Sequence, residues 1–287
     1  MRQGMKLRKW VAVAAVTMTL GMSSLALADG IPSFASNGLK VATEDNYSPF
    51  NFIDQGKASG INKDLLDELR AYSEFEVKQD ILPWTGLLAS VSAGQYDLAL
   101  TGAIVTDARL KAFDFTPPIA SAQHYFVARA KDDSTNTIGD LDGKTVGLQA
   151  GSALLERLPE LKEMLESQGK DLGKIVEYQS YPEAYADLAN GRVDYVINSV
   201  VSVNEVVKAK SKVFKKGEAV SGPGFVSWPV PKDNPELLAY LTEFFAHLKE
   251  TGRLAQLQEK WFGESFDDLP TEAIVSVEQY HKLTAVQ

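Results

Sequence analysis

Two periodicities alternate along the chain. "LKVATE" (Leu39–Glu44) and "KTVGLQ" (Lys144–Gln149) are short, mostly apolar runs that predict buried strands, and each is followed by a loop and a helix-period segment. In the first of those segments Ile61, Leu65, Leu66, Leu69 and Tyr72 fall on one face of a helix.

A longer echo joins the two halves. "LLASVSAGQYDLALTG" (Leu87–Gly102) and "AYADLANGRVDYVINS" (Ala184–Ser199) share one layout. A helical pattern closes at a glycine (Gly94, Gly191), where a left-handed residue ends a helix. An aspartate follows (Asp97, Asp194), then a short strand, "LAL" or "YVI", ending in small polar residues. Strands alternating with helices predict open, mostly parallel α/β sheets, and two such units predict two lobes. Ligands of open α/β sheets bind beyond the carboxyl ends of the strands. Those ends carry Glu44, Thr101, Gly102, Gln149, Asn198 and Ser199, and Arg109 follows one of them closely.

The N-terminus departs from this pattern. Four basic residues (Arg2, Lys6, Arg8, Lys9) precede the apolar run "WVAVAAVTMTLGMSSLALA", which ends in Ala26-Leu27-Ala28. This reads as a secretory signal peptide over residues 1–28, cleaved after Ala28, in preference to a membrane anchor. Its removal takes the formal charge from −9 to −13 by losing four basic residues, which argues against nucleic acid or an anionic membrane as partner. There is no cysteine among the 287 residues, so disulfides, thiolate chemistry and a lipidated cysteine are excluded. A bacterial periplasm is the expected location. No phosphate loop, metal-ligand cluster or Ser-His-Asp order stands out, and no cofactor is expected.

Five stretches in order, "VATEDNYSPFNF", "SGINKDLLDEL", "LPWTGLLASVSAGQYDLALTGAIVTDARLKAFDFT", "IGDLDGKTVGLQAGS" and "LKETGRLAQLQEKWFG", give the chain a family likeness. It resembles the periplasmic solute-binding proteins of polar amino acid ABC transporters, over about Leu39 to Gly263. The resemblance implies a two-lobed type II binding-protein fold that closes over a ligand by hinge motion. Residues 39–120 plus 223–263 would form lobe 1 and residues 121–222 lobe 2, with "SAQHY" and "VSGPG" as hinge strands. Residues 264–287 would be a tail that either wraps the lobes or stays mobile. The implied partners are a small zwitterionic or carboxylate ligand and the membrane permease of an ABC importer, with the protein acting as a monomer.

The same resemblance assigns Arg109 to the ligand carboxylate, in keeping with the fork of a guanidinium. The alternative is a surface arginine pairing with Asp107 or Asp114. Tyr47 and Trp84 match positions of aromatic rings around the ligand, against a reading as core, which suits Phe50 and Phe52 better. Ser152 is either a helix N-cap or a ligand contact.

Three positions depart from the family pattern: Ser199 replaces an ammonium-binding aspartate, and Ile104 and Ala153 replace hydroxyl residues. An unpaired ammonium in a dry cleft costs several kcal/mol. Either Glu44 or Asp45 takes over that charge, or the ligand lacks an ordinary α-ammonium group, and the second option is favoured here. Two alternatives remain on the same fold: a periplasmic sensor and a dehydratase-like enzyme. The family's dehydratases place an acid where this chain has Ser202, and the next acid, Glu205, reads as solvated on a helix.

Overall fold

A computed structural model describes residues 31–285; the signal-peptide reading of residues 1–28 lies outside them. The first sheet has three parallel strands in the order Val77–Leu82, Leu39–Glu44, Leu98–Leu100. The second has five, in the order Ile175–Tyr178, Val146–Gln149, Tyr195–Ser199, His124–Arg129, Phe214–Ala219. Only His124–Arg129 runs against the others, being antiparallel to both neighbours. Each sheet thus places its strand 1 between strands 2 and 3, the order behind the echo seen in the sequence.

The echo has a specific physical cause. In the first lobe the Asp97 carboxylate accepts from Lys40 N at 2.7 Å, and Asp97 N donates to Lys40 O at 2.9 Å. In the second, Asp194 does the same with Thr145, at 2.8 Å and 2.9 Å. Each aspartate satisfies an N–H at the start of the strand beside its own before its own strand begins. The glycines upstream, Gly94 (φ 74°) and Gly191 (φ 75°), turn the chain out of the preceding helix in the left-handed region.

The helix Ile61–Tyr72 buries Ile61, Leu65, Leu66 and Leu69 completely, with Tyr72 half-buried at its end. Burying such side chains stabilises by roughly 1.5–3 kcal/mol each. Trp228, also fully buried, fixes a polar chain inside this core: its indole N–H donates to Asn62 Oδ1 at 2.8 Å, and Asn62 Nδ2 donates to Asn51 Oδ1 at 2.7 Å.

Ala120–Ser121 and Phe225–Val226, outside both of these sheets, form an antiparallel pair. The ladder continues through Ala122 N to Gly224 O and Val220 N to His124 O. The segment after Gly263 packs down. Ile274 is fully buried and exchanges both backbone hydrogen bonds with Phe115. Ser276 caps the helix Val277–Thr284, whose Tyr280 is buried against Phe225. His281 Nε2 lies 2.9 Å from Asp107 Oδ1.

Candidate functional site

The carboxyl ends of the strands converge between the lobes. Glu44 ends Leu39–Glu44, Gln149 ends Val146–Gln149, Thr101 and Gly102 follow Leu98–Leu100, and Trp84 follows Val77–Leu82. A cavity of ≈ 20 Å³ at this meeting point is lined by Glu44, Tyr47, Trp84, Gly102, Arg109, Gln149 and Ser152, together with Ile104, Ala153, Leu154 and Tyr181.

Arg109 opens a short 3₁₀ turn and is only 8% exposed. Its Nη1 donates to Ile104 O at 2.8 Å and its Nη2 crosses the cleft to Gly151 O at 3.3 Å. The guanidinium carbon sits 5.2 Å from the centroid of the Trp84 ring, within cation–π range. The two acids that would pair with a surface arginine are engaged elsewhere, Asp107 with His281 and Asp114 with Lys232. Among the described residues no carboxylate reaches Arg109 at ion-pair distance. Burial accordingly draws its pKa down, opposed by the more distant charge of Glu156 and weaker contributions from Tyr47 and Glu44. A buried cation without a counter-ion is costly in a folded chain, and this one lines the cavity with guanidinium donors beyond the two hydrogen bonds it makes.

Glu44 is 3% exposed, and burial pushes its pKa up to about 7, against the lowering effect of hydrogen bonds from Thr101 and Gln149. Thr101 Oγ1 donates to Glu44 Oε2 at 3.1 Å, and Gln149 Nε2 reaches Glu44 Oε1 from the other lobe at 3.4 Å. Asp45 is half-buried and lines no part of the cavity. Thr101 therefore acts through Glu44, and Glu44 is the carboxylate of the cavity wall.

Residues 39–264 match the family of bacterial extracellular solute-binding proteins, family 3. The chain belongs to that family. Its relatives include the L-cystine-binding protein TcyJ of Escherichia coli K12, 29% identical over 269 residues that cover 88% of this chain and 94% of that one. ABC transporter arginine-binding protein 1 of the same organism is 28% identical, covering 84% and 99%. Among solved structures, the arginine-, lysine-, histidine-binding protein ArtJ of Geobacillus stearothermophilus superposes with a TM-score of 0.70 at 27% identity, covering 80% of this chain and 96% of that one. The two lobes and two crossing strands are the type II periplasmic binding-protein fold, and the protein is a binding protein of this family rather than an enzyme.

In this family 3 protein the remaining site candidates sit one layer back. The Tyr47 hydroxyl bonds to Asn198 Oδ1 at 3.1 Å and lies 3.3 Å from Ser199 Oγ. Asn198 and Ser199 therefore meet the hydroxyl of Tyr47, and neither lines the ≈ 20 Å³ cavity. Ser199 Oγ also donates to Ser202 Oγ, whose hydroxyl donates to Ser48 O in the opposite lobe at 3.1 Å. Gly102 has a steric role: a Cβ there would lie 2.5 Å from Tyr47 Cε1 and 2.8 Å from Phe50 Cγ, so the bare backbone lets both rings pack against it.

Tyr181 is a cavity residue that the sequence pattern did not single out. It stands at the start of the helix Tyr181–Ala189, just past the strand Ile175–Tyr178, and stacks on Tyr47 with centroids 5.5 Å apart. The signal was available: like Trp84, it follows a parallel strand by a few residues. The Tyr181 hydroxyl and Ser152 Oγ are both buried without a hydrogen-bond partner, and both residues line the cavity. Ser152 precedes the helix Ala153–Glu166 without a side-chain capping bond.

Proposed function

We propose that this protein is the exported, substrate-binding component of an ABC importer, and that it captures an amino acid in the interlobe cleft for delivery to a membrane permease. Lobe 1 would be residues 39–120 plus 223–263 and lobe 2 residues 121–222, a division supported by the paired crossing strands at Ala120–Ser121 and Phe225–Val226. The periplasm is its proposed place of work. The observation that carries the reading is the buried, counter-ion-free guanidinium of Arg109 at the strand ends. A ligand carboxylate supplies the missing charge in a geometry that a guanidinium fork matches.

The cation of the ligand is assigned to Glu44. Its position in the cavity wall supports this over Asp45 and over the ligand without an ordinary α-ammonium group favoured on sequence grounds. Ser152 Oγ and the Tyr181 hydroxyl offer further hydrogen bonds, and Trp84 and Tyr47 offer ring faces. The amino acids bound by the relatives, cystine and arginine among them, give the same class. A thermal-shift screen of the mature chain against amino acids, betaines and amine-free carboxylates tests this. A ligand at a hundredfold its Kd adds about 2.7 kcal/mol of stability. Stabilisation by an amino acid is expected; stabilisation only by amine-free carboxylates would remove Glu44 from the reading.

A further inference from the structure

Beside the Arg109 cavity lies a second interlobe space of ≈ 210 Å³, against ≈ 20 Å³ around the guanidinium. Tyr47 and Tyr181 are walls of both. Tyr185 extends their row, its centroid 6.1 Å from that of Tyr181, and its hydroxyl accepts from Asn198 Nδ2 at 3.1 Å. One lobe contributes Asn46, Tyr47 and Ser48 to this chamber, and the other contributes the rest.

The far wall brings two opposite charges. The helix Val200–Ala209 supplies Glu205, half-buried, and Lys210 follows at its exposed end. Burial raises the Glu205 pKa and the charge of Lys210 opposes that shift, yet the two form no ion pair. Among the described residues, neither side chain has a salt-bridge partner. A carboxylate beside three tyrosine rings is suited to an ammonium group, and the lysine at the rim is suited to a carboxylate. The first cavity has the same composition in Arg109, Glu44, Tyr47 and Trp84. The molecule thus holds two acid–base pairs with a shared aromatic partition between them.

We propose that the chamber is the second half of the ligand site and takes the far head group of a double-headed amino acid. In this reading, which rests on the assignment of Arg109 and Glu44 above, one ammonium–carboxylate head lies at Glu44 and Arg109. The linker passes beside Tyr47 and Tyr181, and the other head lies at Glu205 and Lys210. The ≈ 20 Å³ around Arg109 is room for about one or two waters, so a head group enters there only as the cleft opens, and the bulk of any longer ligand belongs in the larger space.

Calorimetry with a matched set of probes tests this. L-Cystine and meso-2,6-diaminopimelate carry two heads; L-2-aminopimelate lacks the far ammonium, L-lysine lacks the far carboxylate, and L-norleucine lacks both. At least one double-headed probe is expected to bind about tenfold or more tighter than each of the other three, the increment of one additional charge-assisted hydrogen bond. Glu205→Gln is expected to reduce the preference over L-2-aminopimelate to within about twofold, and Lys210→Met the preference over L-lysine, with L-norleucine unaffected. Lys210 is exposed, so its variant keeps the test valid if Glu205→Gln disturbs the helix. Equal binding of L-norleucine and the double-headed probes, no binding of either double-headed probe, or variants that shift all probes alike would overturn the proposal. Arg109→Ala separates the two readings. If it leaves affinity intact while the Glu205 and Lys210 discrimination persists, the Arg109 assignment fails and the chamber stands.

Discussion

Arg109 and Gly151 are joined across the cleft by a hydrogen bond of 3.3 Å from the guanidinium Nη2 to the glycine carbonyl. The guanidinium of one lobe thus reaches the loop that follows the strand Val146–Gln149 of the other. Its other acceptor, Ile104 O, belongs to its own lobe. The contact is made by a charge with no counter-ion, which makes it a weak source of stability and a strong source of affinity for an anion.

The first prediction concerns stability. Holding a buried charge without a counter-ion costs several kcal/mol, a cost that an apolar side chain of similar length avoids and that offsets the loss of the bonds to Ile104 O and Gly151 O. Arg109→Met is expected to leave the ligand-free melting temperature unchanged or raised. A loss of more than about 2 kcal/mol in urea unfolding would show that Arg109 is structural.

Glu44 predicts a pH dependence. Its pKa rises from 4.5 in the unfolded chain to about 7 in the folded one, chiefly through burial. Between those values the folded state binds more protons, so the stabilising protonated form is complete below pH 4.5 and its contribution is lost as pH rises through 7. That difference corresponds to about 3 kcal/mol. Urea melts of the ligand-free protein at pH 5 and pH 8 are expected to show wild type gaining about 2–3 kcal/mol over Glu44→Gln at the lower pH, since the comparison of the two chains cancels the opposing contributions of other groups. An amino acid that pairs its cation with Glu44 is expected to bind more tightly as pH rises through 7.

Gly102 predicts a steric effect on the site. Gly102→Ala drives its Cβ into Tyr47 and Phe50, a clash that costs roughly 1–3 kcal/mol in a packed region. The displaced Tyr47 ring then loses its bond to Asn198. Weaker ligand binding is expected together with a lower melting temperature. A drop in melting temperature with unchanged affinity would show that Tyr47 does not contact the ligand.

His124 predicts the acid limb of stability. It is fully buried at the crossing strands, its Nδ1 lies 3.0 Å from Ser221 Oγ, and its Nε2 has no partner. Burial holds its pKa well below 6.5, with the charge of Arg157 adding to the effect. Below about pH 6.5 the unfolded chain binds a proton that the folded chain refuses, so this group's contribution to stability falls as pH drops, opposing that of Glu44. Relative to wild type, His124→Gln is expected to gain stability as pH falls from 7 to 5, measured by urea unfolding.

The lobes and most of the cleft were legible in the sequence because local signals agreed with the global fold. Asp97 and Asp194 recur because each caps the same strand position, and Glu44 and Gln149 stand where parallel strands end. Tyr181 escaped notice because a tyrosine before a proline at a helix start reads as a helix boundary and nothing more. Asn198 and Ser199 read as a strand's polar end, whereas the strand runs on through Ser199 and their side chains meet the Tyr47 hydroxyl. The segment after Gly263 gave no firm reading, since its attachment depends on Ile274 and Tyr280 finding Phe115 and Phe225, contacts that no periodicity announces. The chamber at Glu205 was read as a solvated helix face because its second wall, Asn46–Ser48, lies far away in the chain.

The central claim is that Arg109 holds a carboxylate. The most direct measurement is calorimetry of the best amino acid from the screen, alongside its carboxamide, on the wild-type chain and on Arg109→Ala. Loss of a buried, hydrogen-bonded charge pair costs about 2–5 kcal/mol. The predicted result is a loss of about thirtyfold or more for the carboxamide on wild type, and for the amino acid on Arg109→Ala, with no further loss when both changes are combined. Undiminished affinity of the amino acid for Arg109→Ala would contradict it.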